Sequence, residues 1–258
     1  MKKIISFFYS LGDFAQMVCQ MVPEAIARPP SWKLIRNQLF EMGVLSLPVI
    51  AVTGLSTGMV LAAQAYFQLS DKGLTSTIGV MVAKSMLVEL GPILTAFMIT
   101  GRVGAAIAAE LGTMKVTEQI DAMQSMAVDP LRYLVAPRFI AMTLMVPVLT
   151  VFSCCMGILG GYLIAVQAYG MEVRTFFDPM PTFITWFDLF SGLSKSLFFG
   201  LLIVTISCWR GMNTFGGAAG VGRSTTNSVV ICYSAILIAN FVLTLALNAS
   251  YWVLVGEV

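Results

Sequence analysis

The chain has 258 residues, of which 58% are hydrophobic and only 11% charged, with a formal net charge of +2 and a mean hydropathy of +0.87. A soluble domain keeps about a quarter of its residues charged, so most of this surface faces something other than water. The mild, dispersed positive charge argues against nucleic acid as a partner, and the lack of histidine removes the commonest general base and metal ligand.

At the amino terminus Lys2 and Lys3 precede an apolar run, but Asp13 interrupts it and no cleavage site follows, so the segment reads as retained. Ile4, Phe7, Phe8, Leu11, Phe14, Val18, Met21 and Val22 recur at helical spacing, a pattern suited to a helix lying in the membrane interface. A sixth span is the alternative, opposed by Asp13 and the flanking charges. Pro29-Pro30 ends any helix there, and Trp32, Lys33 and Arg36 are residue types that anchor at a headgroup layer.

A helix needs about 20 apolar residues to cross a ~30 Å hydrocarbon core. Five segments qualify: 43–68, 78–101, 139–167, 188–210 and 229–255. The fourth is the weakest, because it contains Asp188 and Lys195 and turns cleanly apolar only at Leu197. Basic residues orient these spans. Lys2, Lys3, Arg28, Lys33, Arg36, Lys115, Arg132, Arg138, Arg210 and Arg223 fall on one side, and Lys72 and Arg174 on the other. The positive-inside bias predicts a cytoplasmic amino terminus and an outward carboxyl terminus.

Close helix approach in lipid relies on small residues. Gly101, Ala105, Ala108, Ala109 and Gly112 form one small stripe, and Gly157 with Gly161 marks the third span. Packing within one chain and a dimer seam both fit. The cysteines (Cys19, Cys154, Cys155, Cys208 and Cys232) lie in or beside apolar runs without a C-x-x-C pair, and read as small core- or lipid-facing residues.

The stretch from Glu89 to Met123 concentrates the polar chemistry. Charged side chains within a span usually face a protein interior or a wet cavity. Glu89 lies in the second span, five residues after Lys84, and Gly91-Pro92 follows it; a proline frees a backbone carbonyl and can kink the helix beside a cavity. Arg102 and Glu110, eight residues apart on roughly one face, suit either structural pairing or a functional role. Beyond them the sequence predicts a short amphipathic helix capped by Thr117, with Glu118 and Asp121 in its first turn and Asp129-Pro130 as its stop. Ile120, Met123, Met126 and Ala127 give it one apolar stripe. Such a helix can dock into a soluble partner. The alternative, a position on the membrane surface, is disfavoured because anionic headgroups repel its acidic face.

Gly217-Ala-Ala-Gly-Val-Gly-Arg-Ser224 matches P-loop spacing except for arginine in place of lysine. A P-loop follows a buried strand, whereas this run follows a membrane span. It is expected to form a tight turn before span five, with Ser224 or Thr225 as helix cap.

Six motifs together resemble one family, the MlaE (YrbE-type) permeases of MCE-associated ABC transporters. They are Glu89-Leu-Gly-Pro, Gly101-Arg-Val-Gly, the run from Ala109 to Met123, Val128-Asp-Pro-Leu-Arg-Tyr-Leu-Val-Ala-Pro-Arg138, Leu193-Ser-Lys-Ser-Leu-Phe-Phe-Gly200 and Gly220-Val-Gly-Arg-Ser-Thr-Thr. The resemblance implies an all-α integral membrane protein of the bacterial inner membrane. It would be a homodimer of five-span permeases, with an interfacial region over residues 1–40 and the permease domain over 41–258. Phospholipid would move between inner and outer membranes, maintaining outer-membrane lipid asymmetry. A separate cytoplasmic ATPase with a STAS-domain partner would bind ATP and magnesium, and a periplasmic ring of MCE proteins would dock above.

By the same resemblance, residues 117–128 would be the coupling helix to the ATPase, through Glu118, Ile120, Asp121, Met123 and Met126. A lipid cavity at the dimer interface would be lined by Leu61, Gln64, Leu69, Glu89 and Leu90. Arg102, Glu110 and Lys195 would be structural or gating charges. Val88 stands where the resemblance leads one to expect a basic residue before Glu-Leu-Gly. The other function class is an ion-coupled secondary transporter of a hydrophobic substrate. It would use Glu89 and Glu110, but the chain lacks the paired broken helices of two repeated halves. An intramembrane enzyme has no serine–base or metal-ligand constellation to rest on.

Overall fold

A computed structural model describes Gly12 and residues 31–255, with side chains through Tyr251. The predicted amphipathic helix near the amino terminus therefore lies outside the described residues. Every regular element among those described is helical, and five helical runs are long and apolar enough to cross a membrane: Trp32–Lys72, Thr75–Val116, Leu131–Ala168, Trp186–Met212 and Gly217–Tyr251.

Span one joins α1 (Trp32–Met42) to α2 (Leu47–Leu69). Span two runs through α3 (Ile78–Ser85), a π turn at Met86–Leu90, α4 (Gly91–Ile99), a second π turn at Thr100–Gly104, and α5 (Ala105–Val116). The short α6 (Gln119–Ser125) precedes span three, whose body is α7 (Ala136–Tyr162). Two brief helices, α8 (Val173–Phe177) and α9 (Met180–Phe183), lead to α10 (Trp186–Met212), and α11 (Gly217–Val255) ends the described chain.

The runs begin before the predicted segments, the first by eleven residues, and for spans two and five the extension has a visible physical reason. Span two continues past Gly101 to Val116 because its charges find partners: Arg102 donates to the Glu41 carbonyl at 3.2 Å and Glu110 pairs with Arg138 at 2.9 Å. Span five begins at Gly217, twelve residues before the apolar run. Gly216 and Gly217, at φ 92° and 66°, make the turn that only glycine adopts freely. The P-loop-like run is therefore helix from its first residue, and the predicted caps do not form. Ser224 reaches back to the Arg210 carbonyl at 2.8 Å, and Thr225 bonds the Val221 carbonyl one turn earlier.

The described residues fall into two compact units. The first takes the chain up to Val44 with Ile99–Met145 and Gly200–Ala235. In it, the small stripe of α5 serves packing within the chain. A Cβ added at Gly112 would touch Thr214, and one at Gly211 of α10 would press on Leu111 and Ala108.

The second unit takes Leu45–Met98, Val146–Phe199 and the chain from Ile236 on. Here α2 and α7 come to backbone contact: a Cβ at Gly58 would fall on the Gly157 carbonyl. Lipid gives helices no hydrophobic drive to associate, so such van der Waals approach supplies the packing. The far ends of α2 and α7 close over Phe176 of α8, fully buried with Ile78, Ala83 and Ala165, while Tyr66 stacks on Tyr169 at 4.3 Å. The four cysteines among the described residues are free thiols, three of them buried.

Candidate functional site

The second unit holds a break in span two at which four other side chains and a glycine converge. Pro92 has no N–H, so the Val88 carbonyl four residues back loses its helical donor. The ammonium of Lys195, from α10, donates to that carbonyl at 3.1 Å. Its other two protons go to Glu89 Oε1 at 2.6 Å and to Thr244 Oγ1 of α11 at 2.9 Å. All three N–H groups are thus used, and Lys195 is fully buried.

The Glu89 carboxylate is 36% exposed and accepts from Asn240 Nδ2 at 3.1 Å through its other oxygen. The Thr244 hydroxyl lies 3.0 Å from Glu89 Oε1 and 2.8 Å from the Asn240 carbonyl, with a single proton to give to either. Asn240 Oδ1 is buried without a partner. On the other side of the π turn, the Cys154 thiol donates to the Met86 carbonyl at 3.2 Å, and Gly192 leaves room for the Leu87 carbonyl. A carboxylate at the surface is thus held over a buried cation. This arrangement can offer a polar contact within an apolar surround without leaving a charge unpaired.

The sequence marks Lys195 as a charge that weakens span four and, by resemblance, as a structural or gating charge, but not its partner; its pairing with Glu89 spans 106 residues of chain. Lys84 lies near Glu89 in sequence but pairs instead with Asp188 at 3.6 Å. Asp188 also accepts from the backbone N–H and hydroxyl of Thr185 at 2.9 and 3.0 Å. Thr185-Trp-Phe-Asp188 has the spacing of a capping box, a signal that marks these polar residues as the opening of α10 and that a search for apolar runs passes over.

The residues expected to line a lipid cavity are divided. Leu61 and Leu90 pack together on Ala62, Val82 and Met86; Leu69 packs on the Phe176 cluster; Gln64 is exposed on α2. A cavity of about 190 Å³ lies among Leu87, Thr150, Val151, Cys154, Cys155, Ile158, Leu189, Gly192 and Leu193, and none of the five expected residues borders it. It is smaller than the ~300–1,000 Å³ of typical small-molecule sites.

In the first unit, α6 is shorter than predicted. Thr117 does not cap it: this residue still belongs to the end of α5, and its hydroxyl bonds the Thr113 carbonyl at 2.8 Å. The capping position falls to Glu118 in a left-handed conformation, and the helix ends at Ser125, four residues before Asp129. Asp129 opens span three instead, its carboxylate accepting from the Leu131 N–H at 2.9 Å. The predicted apolar stripe separates: Ile120 is buried, Met123 half-buried, and Met126, beyond the helix, is 68% exposed. Glu118 and Asp121 are exposed, with Asp121 tied to Lys115 at 2.8 Å. Arg102 and Glu110 do not pair with each other.

Known proteins resemble the chain across these same residues. The family model described as Permease MlaE matches residues 35–246. A probable ABC transporter permease protein of Rickettsia felis is 41% identical over 244 residues, covering 94% of each chain. The intermembrane phospholipid transport system permease protein MlaE of Haemophilus influenzae is 37% identical over 247 residues, again 94% of each. A probable ABC transporter permease protein of Synechocystis is 43% identical over 212 residues, 81% of each.

Proposed function

This chain belongs to the MlaE permease family, and from that premise we propose that it is the membrane subunit of an ABC transporter moving phospholipid between the inner and outer membranes of a bacterial envelope. Two copies would form the permease, with the amino terminus and α6 in the cytoplasm. A separate ATPase, with a STAS-domain subunit, would bind ATP and magnesium below, and a ring of MCE proteins would receive or deliver lipid above. The name of the Haemophilus relative supports the phospholipid substrate. The bias of basic residues supports the orientation.

The observation that supports this reading best is the partly exposed Glu89 carboxylate, fixed by a fully buried Lys195, in a chain whose next residue, Leu90, packs on the same apolar cluster of Ala62, Val82 and Met86 as Leu61. Apolar walls hold acyl chains, and a single fixed polar group meets the headgroup. ATP binding by the partner would favour a conformation with lower lipid affinity, releasing the cargo. Mass spectrometry of lipid on the purified complex tests this. Bound phospholipid that falls when ATP is added is the expected result, and a complex that holds none in either state counts against it.

The same ion pair favours one other reading, an ion-coupled carrier of a hydrophobic substrate, because intramembrane carboxylates serve proton relays. Transport that persists without ATP and collapses with the proton gradient would select that reading.

A further inference from the structure

Among the described residues, two that are not glycine take a left-handed backbone, Glu118 and Ala127, both at φ 59°. They stand at the two ends of the same seven-residue helix, α6. A residue with a Cβ is disfavoured there, and such a conformation persists only where surrounding contacts impose it.

Helix-end hydrogen bonds impose it: the Ala127 and Val128 N–H groups close on the Gln124 and Met123 carbonyls at 3.0 Å each, and the Glu118 N–H on the Lys115 carbonyl at 3.2 Å. Further contacts then fix α6 between these two ends. Ile120, 2% exposed, plugs α6 into the unit beneath it. Lys115 at the end of α5 grips Asp121 in the first turn of α6 at 2.8 Å. Below, the stems of the loop are joined directly: Glu110 on α5 meets Arg138 at the start of α7 at 2.9 Å. Arg138 is buried, with one further bond to the Leu134 carbonyl at 3.0 Å and a buried Nε that has no partner. Glu110 is thus the counter-charge that makes the burial of Arg138 tolerable, and it comes from the other stem.

We propose that Glu110 and Arg138 form a positioning clamp for energy coupling, locking the inner ends of spans two and three so that a load on α6 moves both together. The two left-handed residues set the angle at which α6 leaves this clamp. The inference rests on reading α6 as the contact with the ATPase, and it assigns the rigidity of that contact to residues that do not themselves touch the partner. A loose joint between α6 and the spans would let α6 swing without moving the lipid path, so ATP would be hydrolysed with little transport.

The test uses the full permease assembled with its ATPase in proteoliposomes, scoring ATP hydrolysis and lipid movement separately. Glu110→Gln is expected to keep hydrolysis within about twofold while lipid moved per ATP falls about tenfold, a size that residues modulating coupling between distant sites can reach. Exchanging the charges, Glu110→Arg with Arg138→Glu, is expected to restore part of the ratio. Ala127→Gly frees the exit of α6 without touching the clamp, and is expected to lower the ratio about threefold.

An unchanged ratio in Glu110→Gln overturns the clamp, as does a proportionate loss of hydrolysis and transport. Should Glu110→Gln fail to fold, an unchanged ratio in Ala127→Gly overturns the lever geometry by itself. A permease with Glu118→Lys and Asp121→Lys that still captures the ATPase would remove instead the parent reading of α6.

Discussion

Lys195 donates to the carbonyl of Val88, the acceptor that Pro92 leaves without its helical N–H. The break in span two is therefore sealed by a side chain from span four, and the same ammonium neutralises Glu89. One buried group satisfies both the backbone defect and the intramembrane carboxylate.

The two members of that pair should be energetically coupled. Lys195→Met strands the Val88 carbonyl and the Glu89 carboxylate, while Glu89→Gln strands a buried ammonium. Each single change is expected to lower stability by roughly 2–4 kcal/mol, somewhat below the ~3–5 kcal/mol of a fully buried pair because Glu89 is partly exposed. The double variant should be less damaged than the sum, since nothing charged remains unpaired. Unfolding midpoints in detergent for the four proteins check this; additive losses would show that the two residues act separately.

The glycines at the contact of α2 and α7 make a second, graded prediction. A Cβ at Gly58 would strike the Gly157 carbonyl, which is backbone, whereas one at Gly157 would strike the terminal methyl of Met86, which has rotamers to change. Gly58→Ala is expected to lower stability by about 3 kcal/mol and Gly157→Ala by about 1 kcal/mol, the two ends of the overpacking range. Equal losses would mean that α2 can shift away as readily as Met86 can turn.

All five spans were legible in the sequence, because an unbroken apolar window of bilayer length is rare in any chain that folds in water. Their ends were not. Whether a helix continues through Arg102 and Glu110 is decided by Glu41 and Arg138, and whether it continues from Gly217 by a left-handed turn at Gly216. Glu89 and Pro92 were readable as a polar break, but the residue that seals the break lies 106 positions away, and periodicity says nothing about partners at that distance. Val88, where a basic neighbour was expected, is accounted for by the same contact, since the cation comes from across the bundle rather than from the adjacent position.

Glu118 and Asp121 are separable tests of ATPase docking. Both are exposed, but only Asp121 has an ion-pair partner among the described residues, Lys115 at 2.8 Å. Asp121→Lys therefore alters the posture of α6 together with its charge, while Glu118→Lys alters the charge and leaves that pair intact. Glu118→Lys is expected to weaken capture of the ATPase about tenfold and to change its salt dependence, as a charge at an interface rim does. The double reversal should abolish capture with the permease still in the membrane fraction. Co-purification across a salt series reads all three, and full capture by the double reversal would exclude α6 as the docking element.

Gln64 offers the cleanest probe of the proposed lipid path. Leu61 packs against Ala62, Val82 and Met86, and Leu69 against the Phe176 cluster, so a polar replacement at either disturbs packing as well as any lipid contact. Gln64 is exposed on α2 between them and has no cluster to upset. Gln64→Trp adds bulk to that face at little expense to the fold, so its unfolding midpoint should match the parent protein. If this face of α2 lines the cavity, the added ring occupies acyl-chain space, and phospholipid per protomer should fall about twofold or more, in line with the close filling of such sites. Mass spectrometry of lipid released from the purified complex measures it. Unchanged phospholipid in Gln64→Trp, with reduced phospholipid in Leu61→Gln and Leu69→Gln, would trace the losses in the leucine variants to packing and move the lipid path off this helix.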